Sequence, residues 1–129
     1  MQATNLKTNH LSAPLGMDAG TLFLSWQCAG GVRQTAYEIE VTAGAGTLWT
    51  SGKVLGSGMH TETPAAVPPK TQGQWRIRLW DENDQPGAWS EAEFETGLAQ
   101  SDWQGVWVCP ETEEPDIDCT DAINAFAKP

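Results

Sequence analysis

Apolar and polar side chains alternate in three stretches of the chain with the period of two that puts successive residues on opposite faces of a β-strand. In residues 21–27, Leu22, Leu24 and Trp26 fall on one side and Thr21, Phe23 and Ser25 on the other. Residues 37–42 set Tyr37, Ile39 and Val41 against Glu38, Glu40 and Thr42. Wound as a helix, this segment would smear its apolar groups around the axis, so a strand is predicted. Residues 74–81 set Trp75, Ile77 and Leu79 against Arg76, Arg78 and Trp80. The stretches are punctuated by Cys28-Ala29-Gly30-Gly31, Gly44-Ala45-Gly46, Gly56-Ser57-Gly58 and the polar run 81–87, all turn chemistry.

Weaker signals fill the gaps. Residues 48–54 read as a short strand broken at Gly52, and 59–63 as another ahead of Pro64. Trp89-Ser90 opens a last strand that runs through Phe94 to Thr96 and stops at Gly97. Residues 1–20 hold no clean period and read as loop, with one short edge strand near Leu11. No useful helix is expected before residue 120, where 121–126 permit a turn or two. About seven short strands with frequent turn signals predict an all-β protein, an antiparallel β-sandwich. Its core would set Leu22, Leu24 and Trp26 of one sheet against Tyr37, Ile39, Val41, Trp75, Ile77 and Leu79 of the other, across the ~10 Å that separates packed sheets. Residues 1–97 form the sandwich in this reading, and 98–129 an acidic linker and the start of a following domain.

Charge narrows the partners. The 129 residues carry 17 acids against 7 bases, a net charge of -10, which repels nucleic-acid backbone and anionic membrane, so neither is expected as a partner. Glu111, Glu113, Glu114, Asp116, Asp118 and Asp121 crowd the tail, as in a solvated linker. The cysteines Cys28, Cys109 and Cys119 have neither the even count of a disulfide framework nor zinc-site spacing. Cys109 and Cys119 can pair if the tail folds back, but free thiols are expected, which favours a reducing, cytoplasmic setting. The first ten residues lack the apolar core of a signal peptide.

No catalytic constellation emerges. His10 and His60 lie in polar, turn-like surroundings and read as surface histidines. No glycine-rich loop has phosphate-binding spacing, and no cofactor or metal is expected. Asp81, Glu82 and Asp84 share one turn, whereas a glycosidase pair must flank a sugar across a cleft.

Seven tryptophans are the unusual feature. Trp26 and Trp75 are core by phase; Trp103 and Trp107 lie beyond the sandwich; Trp49, Trp80 and Trp89 are candidates for exposure. Exposed rings can stack on sugars, receive arginines, or pack on a neighbouring domain, and Trp49, Trp103 and Trp107 are the candidates for an inter-domain or sugar-stacking surface. Arg76 and Arg78 share an outward face with Trp80, and Trp89 opens the strand expected beside them. Guanidinium on indole contributes about 0.5–2 kcal/mol per pair. At this corner the chain resembles the Trp–Arg ladder of cytokine-receptor-type fibronectin domains.

A longer ordered set resembles the N-terminal region of bacterial α-L-rhamnosidases. It runs Pro14-Leu15-Gly16-Met17-Asp18, Ser25-Trp26, Gln34-Thr35-Ala36-Tyr37-Glu38-Ile39, Trp49-Thr50-Ser51-Gly52-Lys53-Val54, Trp75-Arg76-Ile77-Arg78-Leu79-Trp80-Asp81, Trp89-Ser90, Phe94-Glu95-Thr96-Gly97-Leu98, then Asp102-Trp103 and Trp107. The resemblance implies a fibronectin type III-like or immunoglobulin-like sandwich ahead of further β-domains. It also implies a catalytic (α/α)6 barrel downstream, outside this chain, that removes terminal rhamnose by inversion. No catalytic residue carries over. The implied role is a non-catalytic accessory domain whose partners are the neighbouring domains of one polypeptide. The alternatives are a carbohydrate-binding module using exposed Trp and, on fold analogy alone, an adhesion or receptor-type module. Where such domains tend to carry the tyrosine of a tyrosine corner, this chain has Gly73, so lower stability is expected there. The face of Trp103 and Trp107, deprived of a partner, is expected to fold back on the sandwich.

Overall fold

The alternating stretches form strands in the computed structural model, which describes residues 1–44 and 46–109. In chain order these are β1 (Gln2–Thr8), β2 (Phe23–Ala29), β3 (Ala36–Ala43), β4 (Gly46–Thr50), β5 (Val54–Leu55), β6 (His60–Glu62), β7 (Gln72–Trp80) and β8 (Ser90–Glu95). A 3-10 turn, Gln100–Asp102, follows. One sheet has the order β1-β2-β6; the other runs β4-β3-β7-β8, with β5 also paired to β3. All strand pairs are antiparallel, giving the all-β sandwich that the periodicity predicts.

The two inner faces meet where the alternation places them. Leu22, Leu24 and Trp26 pack against Ile39, Val41, Trp75, Ile77, Leu79 and Phe94, all nearly or fully buried. Tyr37 is half-buried at the margin, its ring 5.0 Å from that of Trp26. Two indoles in this core need acceptors, because an unpaired buried N–H is costly. Trp75 Nε1 donates to Thr8 Oγ1 at 2.9 Å. Trp26 Nε1 donates to Gln34 Oε1 at 3.0 Å, and Gln34 Nε2 donates to the carbonyls of Gly56 and Gly58. Gln34 thus ties β2 to the 56–58 turn from a buried position.

The amino-terminal segment corrects the expectation of a loop with an edge strand near Leu11. Residues 2–8 form a seven-residue strand on β2, and Leu11 makes only an isolated bridge to Thr8. The register shifts between Thr4 and Lys7, and Asn5 sits at φ 48. A bulge changes the face of every residue after it. The buried Ala3 and Thr8 are therefore on opposite parities of the sequence, and no period of two survives to be read. The break at Gly52 is real: β4 and β5 lie on either side of it, both on β3, and Gly52 has φ 61.

The space beside Gly73 is filled from the opposite strand. It lies directly across from Phe94, and a Cβ there would collide with the Phe94 ring and sit 2.9 Å from the Thr42 carbonyl oxygen. Phe94, almost fully buried, occupies the room that a larger side chain at 73 would take.

Among the cysteines, Cys28 is a free thiol whose pKa is pushed up by burial, but Cys109 is disulfide-bonded, which corrects the expectation of free thiols. Cys119, the acidic cluster 111–121 and the short helix expected from Thr120 lie outside the described residues.

Candidate functional site

The outward face of the larger sheet carries a stack of cations and rings. It is positioned by register: Glu38 lies opposite Arg78 and Glu40 opposite Arg76, while Ser90 opposite Ile77 brings Trp89 alongside. The Arg76 guanidinium lies 4.3 Å from the Trp89 ring centroid, and that of Arg78 lies 4.8 Å from Trp89 and 4.9 Å from Trp80. Lys53 Nζ is 4.8 Å from Trp80 and ends the series. The order is Arg76, Trp89, Arg78, Trp80, Lys53.

Each cation also has its own carboxylate. Arg76 Nε pairs with Glu40 at 2.5 Å, Arg78 Nη2 with Glu38 at 2.7 Å, and Lys53 with Asp84 at 2.7 Å. These ion pairs are partly exposed and contribute little singly. Their main effect is to hold the guanidinium planes so that rings can lie against them. Lys53 and its ion pair with Asp84 were not anticipated, because the loops that carry them approach one another only in the fold.

The tryptophans differ from expectation in two respects. Trp80, expected to be open, is only 7% exposed. The 81–87 turn folds back, bridging Trp80 to Pro86, and Lys53 comes in from beside β5. Trp89 and Trp49 are half-buried, and Trp49 packs against the core margin. Trp103 and Trp107 do not fold back: they are 70% and 97% exposed. At its last residue the free edge of β8 is already taken, since Met17 N donates to Glu95 O and Glu95 N to Pro14 O.

Elsewhere, His10 and His60 are exposed, as surface histidines should be, but they stack on either side of Phe23, with centroids 4.7 and 5.5 Å away. Among the described residues, no three His, Cys, Asp or Glu side chains gather as metal ligands would. The carboxylates of Glu82 and Asp102 are held below their ordinary range, the first by the Val32 amide and the second by Lys70; each serves a backbone segment rather than a cleft.

Removing Trp89 takes two stacked contacts at once. Trp89→Ala should lower stability by about 1–2 kcal/mol, whereas Trp103→Ala, which strips an exposed ring, should be near neutral. Thermal denaturation of the two variants side by side checks this; equal melting points would show that the stack adds nothing.

Residues 3–100 match the family model for the Rha78A-like, N-terminal immunoglobulin domain. An α-L-rhamnosidase of Streptomyces avermitilis is 34% identical over 134 residues, covering 92% of this chain but 13% of its own length. One from Alteromonas sp. is 29% identical over 109 residues, covering 74% of this chain and 12% of its own. Among solved structures, the α-L-rhamnosidase from Dictyoglumus thermophilum is similar at TM-score 0.78 and 28% identity, over 86% of this chain and 14% of that one. A myokine structure, at TM-score 0.58 and 8% identity, shares the fold alone.

Proposed function

The chain belongs to the family of Rha78A-like N-terminal immunoglobulin domains, and on that premise we propose that it is a non-catalytic accessory domain of a rhamnosidase that removes terminal α-L-rhamnose, docking and orienting the domains beside it. The observation that carries this reading is one of proportion: the match takes in nearly all of this chain but only 13% of the Streptomyces enzyme. Most glycoside hydrolases work with two carboxyl groups that flank the sugar across a cleft. Glu38, Glu40, Asp81, Glu82, Asp84 and Asp102 are instead engaged with arginine, lysine and backbone amides.

On the outer face of the larger sheet, docking is favoured over sugar binding by the state of Trp80 and Trp89. A sugar platform needs an open aromatic face. Trp89 lies between Arg76 and Arg78, and Trp80 between Arg78 and Lys53, so the domain's own cations flank both. The stack therefore serves to stiffen the sheet.

The isolated chain should not turn over a chromogenic rhamnoside. Titration with rhamnose should give no saturable change in Trp fluorescence at low millimolar sugar. Activity that survives purification and is lost on mutating an acid of the chain would overturn the accessory role. A saturable response abolished by Trp49→Ala or Trp107→Ala would favour the binding module instead.

A further inference from the structure

The chain leaves the sandwich at a fixed point. Lys70 Nζ pairs with Asp102 Oδ1 at 3.0 Å, the Lys70 amide donates to Gly97 O at 3.0 Å, and Asp102 Oδ2 accepts the Ala99 amide at 2.9 Å. Past this clamp Trp103 is extended, with φ -73 and ψ 114. The residues that follow are Gln104, Gly105, Val106, Trp107 and Val108. Extended, they put Val106 and Val108 on one face, and Trp107 with Trp103 on the other. Val106 is 82% exposed, Trp107 97% and Val108 86%.

A strand that faces water on one side alternates apolar with polar. A strand apolar on both faces belongs inside a sheet that is covered on both sides. This sandwich gives it no such place: no strand among the described residues pairs with 105–108, and the adjoining end of the β8 edge, at Glu95, is occupied by residues 14–17. Solvent is no stable home either, since so much contiguous apolar surface marks an interaction site. The relatives that match this domain continue far beyond it, the domain being 13% and 12% of their length.

We propose that residues 105–108 are an exit arm that inserts as an interior strand into the sheet of the domain that follows in the same polypeptide. This deepens the accessory role and rests on it. The two domains are then joined by a shared strand rather than by a free linker, with the Lys70–Asp102 clamp setting the angle at which the arm departs. The partner it fits is a sheet with a vacant strand position and apolar cover on both faces.

The test compares the 129-residue chain with the full-length polypeptide that carries it. Amides of 105–108 should be protected from hydrogen exchange by at least roughly 100-fold more in the full-length polypeptide. Trp107→Ser and Val106→Asp should leave the melting point of the 129-residue chain unmoved and lower that of the full-length polypeptide by several degrees. Equal exchange in the two polypeptides overturns the inserted strand, and it does so without harming the accessory role if the full-length polypeptide hydrolyses a rhamnoside. Protection in a full-length polypeptide that lacks this activity supports the strand and sinks the accessory role. The exchange measurement uses unsubstituted protein, so misfolding of a variant does not obscure it.

Discussion

Trp75→Ala will destabilise the domain by about 3–5 kcal/mol, the cost of deleting a large aromatic from a packed core with limited room to relax. The ring is 1% exposed, in the middle of β7. It fills space between the sheets and anchors β1 through Thr8 Oγ1, which is itself buried. That loss combines a cavity with a hydroxyl deprived of its partner, the latter accounting for about 1–3 kcal/mol of it, on the order of an unsatisfied buried group. Trp75→Phe keeps most of the packing and should lose distinctly less. Urea denaturation with the slope monitored gives the comparison. A loss under about 1.5 kcal/mol for the alanine variant would mean that the core closes over the gap far better than packed cores do.

Gly73→Ala should cost about 1–3 kcal/mol, although alanine is the better strand residue, because the added methyl overpacks the site. Its Cβ meets the Phe94 ring and the Thr42 carbonyl oxygen. The ring is nearly buried and the carbonyl is backbone, so neither yields easily. Combining the change with Phe94→Leu frees part of the space, and the double variant should lose less than the two single losses added together. Strict additivity in that cycle would show that Gly73 and Phe94 do not share one space.

Both positions show what a linear sequence discloses. β2 pairs with β6, and β3 with β7, in one unbroken register, so parity alone separates Leu24 from Ser25, Ile39 from Glu40 and Ile77 from Arg78. β1 was hidden because its bulge changes parity midway. The role of Phe94 for Gly73 was hidden because it is a relation across strands, and the residue expected at 73 was a tyrosine rather than a vacancy filled from elsewhere. Arg76, Arg78, Trp80 and Trp89 could be placed on one face from alternation, but not the burial of Trp80, which depends on how the 81–87 turn folds back. Gln34 gave no signal at all: a buried glutamine is recognised only once the indole of Trp26 and the carbonyls of Gly56 and Gly58 are seen around it.

The clamp at Asp102 and the amino terminus lie at opposite poles of the sandwich. Met1 abuts Gly87 and Gly31, beside the 81–87 turn, whereas Gly97 abuts Gly16 and accepts from Lys70. β7 runs between those poles, nine residues or roughly 25–30 Å. Tension applied through residue 1 and residue 98 would therefore pull along the strands. The pairs of β1 with β2 and of β8 with β7 would bear it in shear, many hydrogen bonds at once, rather than peel one after another. A force between those two ends would meet a strut of set length, loaded along its strands.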